Sequence, residues 1–121
     1  MIRPRRFGEK IVEGLCSRML RRRARLRGIV SPEAVFGLRW SGNMTRERLH
    51  RLLENLPPGF WEIYLHPATR DVFPGHTPGY RYVEELGALL DPTNAEALRR
   101  LGRRLCGYRD AVALRHETAF H

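Results

Sequence analysis

The sequence predicts an α/β fold of three strands and about four helices, and three observations carry that expectation. Residues 35–40 read as a short strand, with Val35, Phe36, Leu38 and Trp40 close together. Leu49, Leu52, Leu53 and Leu56 then recur at i, i+3, i+4 and i+7, the stripe of a helix with one buried side. Residues 59–66 alternate as a second strand until Pro67 stops its ladder. Strand, helix and strand in succession make a β/α unit, whose crossover predicts parallel, right-handed pairing.

The elements follow in order. Residues 5–27 read as an amphipathic helix, because Phe7, Ile11, Val12, Leu15, Cys16, Met19 and Leu20 recur at helical spacing among charged positions. Gly28 ends it, and Arg25 and Arg27 lie in its last turn, where the helix dipole favours cations. After the first strand, Ser41, Gly42 and Asn43 turn the chain. Thr45 offers an N-cap for the leucine-striped helix, Glu47 suits its positive first turn, and Pro57 and Pro58 end it. His50 lies on its polar side, where solvent is expected. In the second strand Trp61, Ile63 and Leu65 share one face, while Glu62, Tyr64 and His66 share the other.

Residues 69–79 lack periodicity and contain Pro74-Gly75, Pro78-Gly79, Asp71 and His76. A loop of that length after a strand is either a plain surface excursion or part of a site. Tyr82, Val83, Leu86, Leu89 and Leu90 predict the next helix. Asp91-Pro92 opens another, with Ala95, Leu98 and Leu101 on its apolar side and Gly102 as its stop. Residues 104–113 read as a final strand and 114–121 as a patternless tail holding His116 and His121. One partial domain is therefore expected over 1–121: a basic helix (1–28), β/α units (29–113) and the tail.

Charge narrows the function classes. The net charge is +9, but residues 1–28 hold ten basic side chains against Glu9 and Glu13, giving +8, and the remainder is near balance at +1. Basicity belongs to one helix, and no zinc-finger spacing, basic heptad or aromatic ribonucleoprotein motif accompanies it, which argues against nucleic acid as the partner. Cys16 and Cys106 form no close pair, so a reducing compartment with buried free thiols is expected. The amino terminus lacks the apolar run of a signal peptide, and no stretch approaches the roughly 20 apolar residues of a membrane span. The expected location is cytoplasmic, with peripheral membrane contact through the arginine helix as an option.

Glu62 to Ala68, with Phe36-Gly37-Leu38-Arg39-Trp40-Ser41-Gly42, Tyr80-Arg81-Tyr82, Glu85-Leu86 and Arg104 to Asp110, resembles the YdjC/ChbG-type carbohydrate deacetylases. The hopanoid-biosynthesis (HpnK-like) branch is the nearest pattern. The resemblance implies a partial (β/α) barrel-like unit, since a complete barrel takes roughly 200–250 residues. It also implies a metal-dependent hydrolase that N-deacetylates an acetylated amino sugar, with a hopanoid-linked sugar as the finer expectation.

In that family the histidine of the His-Pro-Gly or His-Pro-Ala motif lies at the active site, which here is His66 before Pro67 and Ala68. An imidazole can protonate a departing amine near neutral pH. The resemblance implies a divalent metal (Zn or Mg) held by an aspartate and a His-x-His pair, and an aspartate base. The five histidines here, His50, His66, His76, His116 and His121, have no such spacing. The metal ligands are thus expected in a missing amino-terminal half or a partner chain, with this chain inactive alone.

Trp40, Glu62, Tyr64 and Tyr80 are the expected substrate-binding side chains, as amphipathic aromatics and a polar neighbour on the face of His66. Ordinary packing is the commoner role for such residues and would account for each of them. His76 could reach the site from its loop. The rival function is non-enzymatic: a binding module whose arginine-rich helix contacts an anionic membrane, nucleic acid or an acidic partner.

Overall fold

In a computed structural model the backbone is described for residues 7–118 and the side chains for residues 17–114. Among the described residues five helices and two short strands occur in the order α1 (Phe7–Leu26), β1 (Val35–Phe36), α2 (Arg46–Asn55), β2 (Glu62–Ile63), α3 (Tyr82–Leu90), α4 (Pro92–Arg100) and α5 (Tyr108–Thr118). A 3-10 turn, Leu38–Trp40, follows β1. The chain forms two compact units, one of residues 1–31 with 108–121 and one of residues 32–107.

The second unit holds the predicted β/α motif. β1 and β2 pair in parallel with Val35 opposite Glu62 and Phe36 opposite Ile63, as a crossover through α2 requires. The ladder extends a little at both ends. Glu33 N–H donates to Phe60 O at 2.8 Å and Tyr64 N–H to Phe36 O at 2.8 Å. The expected strand over 35–40 is cut after two residues, because Gly37 turns the chain with φ +95°. A β-carbon there would stand 2.5 Å from the Tyr64 carbonyl oxygen, so the close approach of the two strands needs glycine.

The leucine stripe behaves as read. Thr45 Oγ1 accepts Arg48 N–H at 3.3 Å and starts α2. Leu49 and Leu53 join Met44 and Ala88 in the buried cluster, against which Leu52, Leu56, Ile63, Leu65 and Leu98 pack. Each buried leucine contributes about 2 kcal/mol of transfer free energy. α2 packs on α3 and α4, and α3 on α4.

α4 starts as predicted, with Asp91 Oδ1 accepting Thr93 N–H at 2.9 Å and Pro92 in the first helical position. Its buried face centres on Asn94 and Ala97, with Leu98 packed against the core cluster. The Asn94 amide donates to Ala88 O at 2.8 Å, which leaves Asn94 Oδ1 facing His50 Nδ1 at 3.2 Å. His50 is therefore half-buried and links α2 to α4, where solvent was expected.

Three further expectations are corrected. Residues 104–113 are not a strand: the chain runs without regular structure to Gly107 and then forms α5, which also takes in most of the expected tail. Among the described residues there are thus two strands and not three. Ala111, Ala113 and Leu114 suit a helix, as alanine and leucine carry high helix propensity, and Asp110 lies in its positive first turn. Cys106, expected to be buried, is exposed.

In the first unit α1 ends where Gly28 predicts, with Ile29 N–H donating to Ala24 O at 2.9 Å across the terminus. Arg23 and Arg25 occupy its last turn. Met19 and Leu20, expected on its apolar face, are 58% and 68% exposed. The side chains of Phe7, Ile11, Val12, Leu15, Cys16 and His116, and His121 altogether, lie outside the described residues. Among those described, no helix is long and apolar enough to cross a membrane.

Candidate functional site

His66 lies just beyond β2, at its carboxyl end, and its side chain is 22% exposed. The expected strand over 59–66 is regular only over Glu62–Ile63, yet Tyr64, two residues before His66, still meets it edge-on with ring centroids 4.6 Å apart. The Tyr80 ring stands edge-on to His66 from another side, at 5.0 Å. Edge-to-face pairs of this kind add about 1 kcal/mol each beyond the area they bury.

The aromatic chain continues away from His66. Tyr80 lies 5.6 Å from Tyr82, Tyr82 lies 4.9 Å from Phe73, and Phe73 lies 5.9 Å from His76. This ordering explains how the 69–79 loop holds its place. Thr77 N–H donates to the Tyr82 hydroxyl at 2.8 Å, and His76 Nδ1 lies 2.7 Å from Phe73 O. Asp71 Oδ1 accepts Val83 N–H at 3.0 Å and satisfies an orphan donor in the first turn of α3.

Tyr80 is seated on the turn after β1. Gly42 has φ +73°, and a β-carbon there would run into the Tyr80 ring. Arg81 N–H donates to Gly42 O at 2.8 Å and binds the same turn to the start of α3. The Phe36-to-Gly42 segment and the Tyr80-Arg81-Tyr82 segment, separated by some 40 residues of chain, thus meet beside His66.

Beneath the imidazole lies Glu85, a side chain without a site role in the sequence-based reading. It is on α3 and 0% exposed. Its Oε1 accepts Met44 N–H at 3.0 Å, and its Oε2 accepts the backbone N–H of His66. The same Oε2 is 3.8 Å from His66 Nδ1, a buried atom with no closer hydrogen-bond partner among the described residues. A carboxylate in the interior is tolerated only when its lone pairs are taken up, and here two backbone donors do so.

A sequence signal for Glu85 exists. The residues α3 buries are Tyr82, Glu85 and Ala88, spaced i, i+3 and i+6, so an acid stands in the middle of the buried stripe. The apolar face expected from Val83, Leu89 and Leu90 is turned outward instead.

Of the other expected contacts, Tyr64 and Tyr80 are brought to His66. Trp40 is 39% exposed in the 3-10 turn, with the Arg48 guanidinium 5.9 Å from its ring centroid. Glu62 is half-buried in β2 opposite Val35.

A divalent cation needs three or more converging ligands. Among the described residues no group of three His, Cys, Asp or Glu side chains converges. His66 and Glu85 are two, and both Glu85 oxygens are already engaged by backbone N–H groups. The residues present do not fit the metal that the resemblance implies.

The model of one protein family, described as YdjC-like protein, matches residues 3–100. No curated protein and no solved structure matches the chain.

Proposed function

Because the chain belongs to the YdjC-like protein family, and so to a carbohydrate deacetylase-related group, we propose that it supplies the proton-donating part of an N-deacetylase acting on an acetylated amino sugar. The observation that carries this reading is the seating of His66. Its ring is held between Tyr64 and Tyr80 at a strand's carboxyl end, the position where β/α folds collect their reacting groups.

In the proposed reaction water adds to the acetyl carbonyl carbon, and the tetrahedral adduct collapses with cleavage of the carbon–nitrogen bond. Acetate leaves, and the nitrogen departs as a neutral amine because the His66 imidazolium gives it a proton. That proton is decisive, since an amide anion is a very poor leaving group, and general acid catalysis of this kind is worth about 10²–10⁴-fold. The exposed tyrosine Tyr64, with Tyr80, offers ring faces to the sugar. The groups that activate the water are proposed to come from another segment or polypeptide, which makes this chain the carboxyl-terminal part of the active unit. A hopanoid-linked amino sugar is the finer substrate proposal.

The test is an acetate-release assay on N-acetylated amino sugars, free and lipid-linked, with the chain alone and joined to the segment encoded upstream of Met1. Release by the joined protein, with the chain alone silent, is expected. An upstream frame without Asp-Asp and His-x-His motifs, together with no release, would overturn the reading.

A second reading rests on α1. Arg18, Arg21, Arg22, Arg23, Arg25 and Arg27 are exposed together with Met19, Leu20 and Leu26, a combination that suits an anionic membrane surface. Binding to vesicles rich in anionic lipid should weaken with salt and vanish when Arg21, Arg22 and Arg23 are replaced by glutamine. Binding that survives those changes would reject it.

A further inference from the structure

We propose that Glu85 is the positioning residue of His66, holding the neutral imidazole as its Nδ1–H tautomer so that Nε2 is the nitrogen that serves substrate. The inference rests on the reading of His66 as the proton donor, and it adds the group that sets which ring nitrogen acts.

Two observations and the chemistry of the imidazole ring meet here. Glu85 Oε2 lies 3.8 Å from His66 Nδ1, and that nitrogen is buried with no nearer hydrogen-bond partner among the described residues. A neutral imidazole carries a proton on one nitrogen and a lone pair on the other. An Nδ1 lone pair facing a carboxylate oxygen in a buried setting is repelled, whereas an Nδ1–H is attracted. Finally, the ring cannot swing freely away, because Tyr64 and Tyr80 flank it edge-on and its own backbone N–H is bound to the same carboxylate.

The carboxylate is needed chemically, beyond its shape. Both of its oxygens act as acceptors, one for Met44 N–H and one for His66 N–H. Glutamine in this place has a single acceptor oxygen and must turn an NH₂ group toward a donor. At 3.8 Å the Nδ1–Oε2 approach is electrostatic in the free protein, and such contacts commonly tighten once substrate is bound. The Nδ1–H tautomer is also the form His66 takes after Nε2 has given up its proton, so Glu85 stabilises the ring on both sides of the transfer.

The test reads the ring nitrogens directly, by proton–nitrogen correlation spectra of the full chain labelled with ¹⁵N-histidine, at a pH where His66 is neutral. Protonation of His66 at Nδ1 is expected, and an Nε2–H ring in the wild-type chain overturns the proposal. In Glu85→Gln the signal should move toward the Nε2–H form that dominates in free histidine, and an unchanged tautomer there also overturns it. Asn94→Ala serves as the comparison, because it loosens the α3–α4 packing without touching His66 and should leave the tautomer as it was. Should Glu85→Gln fail to fold, the wild-type and Asn94→Ala spectra still decide. The spectra need no turnover, so a chain that hydrolyses nothing can pass, and one that hydrolyses through an Nε2–H ring rejects the positioning role alone.

Discussion

Glu85 engages His66 through a single oxygen at two places, accepting its backbone N–H and facing its Nδ1 at 3.8 Å. The other oxygen holds Met44 N–H at 3.0 Å, so one buried carboxylate fastens the end of β2 and the start of α2 to α3. Site and core are thus tied by the same side chain.

Removing it should be costly. Glu85→Ala leaves two backbone N–H groups without acceptors, each worth about 1–3 kcal/mol when buried. Chemical denaturation should show a loss of about 3 kcal/mol or more. A loss near zero would mean that water replaces the carboxylate easily.

The turn after β1 carries a subtler dependence. Gly42→Ala strains a positive-φ position and pushes a methyl group into the Tyr80 ring. The ring currents that Tyr80 imposes on the His66 protons should change while the helices persist by circular dichroism. Unchanged His66 shifts would show that Tyr80 is not seated by this glycine.

Leu53 tests the helical core apart from the site. Leu53→Ala should destabilise the 32–107 unit by about 2–5 kcal/mol, since Leu53 packs with Met44, Leu49 and Ala88. His66 resonances in the folded fraction should stay in place.

The carboxylates of α2 and α4 set an acid dependence. The Arg100 guanidinium, through a hydrogen bond and its charge, holds Glu54 below its ordinary value. The Thr93 N–H bond, with a smaller contribution from Arg46, does the same for Asp91, and Glu47 is held down by N-terminal hydrogen bonding at the start of α2. Groups depressed in the folded state stabilise it above their unfolded pKa values, and the contribution is lost as pH falls through the folded ones. The melting temperature should therefore hold from neutral pH to about 5 and decline below about 4. Glu54→Gln should flatten part of that decline, and an unaltered acid limb would remove Glu54 from the account.

Much of this was legible from residue patterns, and the misses have physical causes. The parallel pair, the Thr45 and Asp91 caps and the leucine stripe of α2 are local rules obeyed locally. The first strand stops short of the expected residues 35–40 because Gly37, at φ +95°, turns the chain out of the extended conformation. Residues 104–113 misled because Leu105, Cys106 and Tyr108 imitate a strand, while the alanines after Asp110 carry the helix signal. Tyr64 is two residues from His66 in the chain, whereas the approach of Tyr80 to the same ring is tertiary and leaves no local sequence signal. Glu85 was passed over because a carboxylate on a helix is usually solvated, and only tertiary contact reveals that its face is the buried one.

The central claim is that His66 delivers the proton that frees the nitrogen. It is tested most directly by acetate release from an N-acetylated amino sugar by the joined protein carrying His66→Ala, with folding monitored by circular dichroism. The account predicts a loss of about a hundredfold or more in turnover with the helical signal intact. Turnover equal to that of the unsubstituted protein would contradict it.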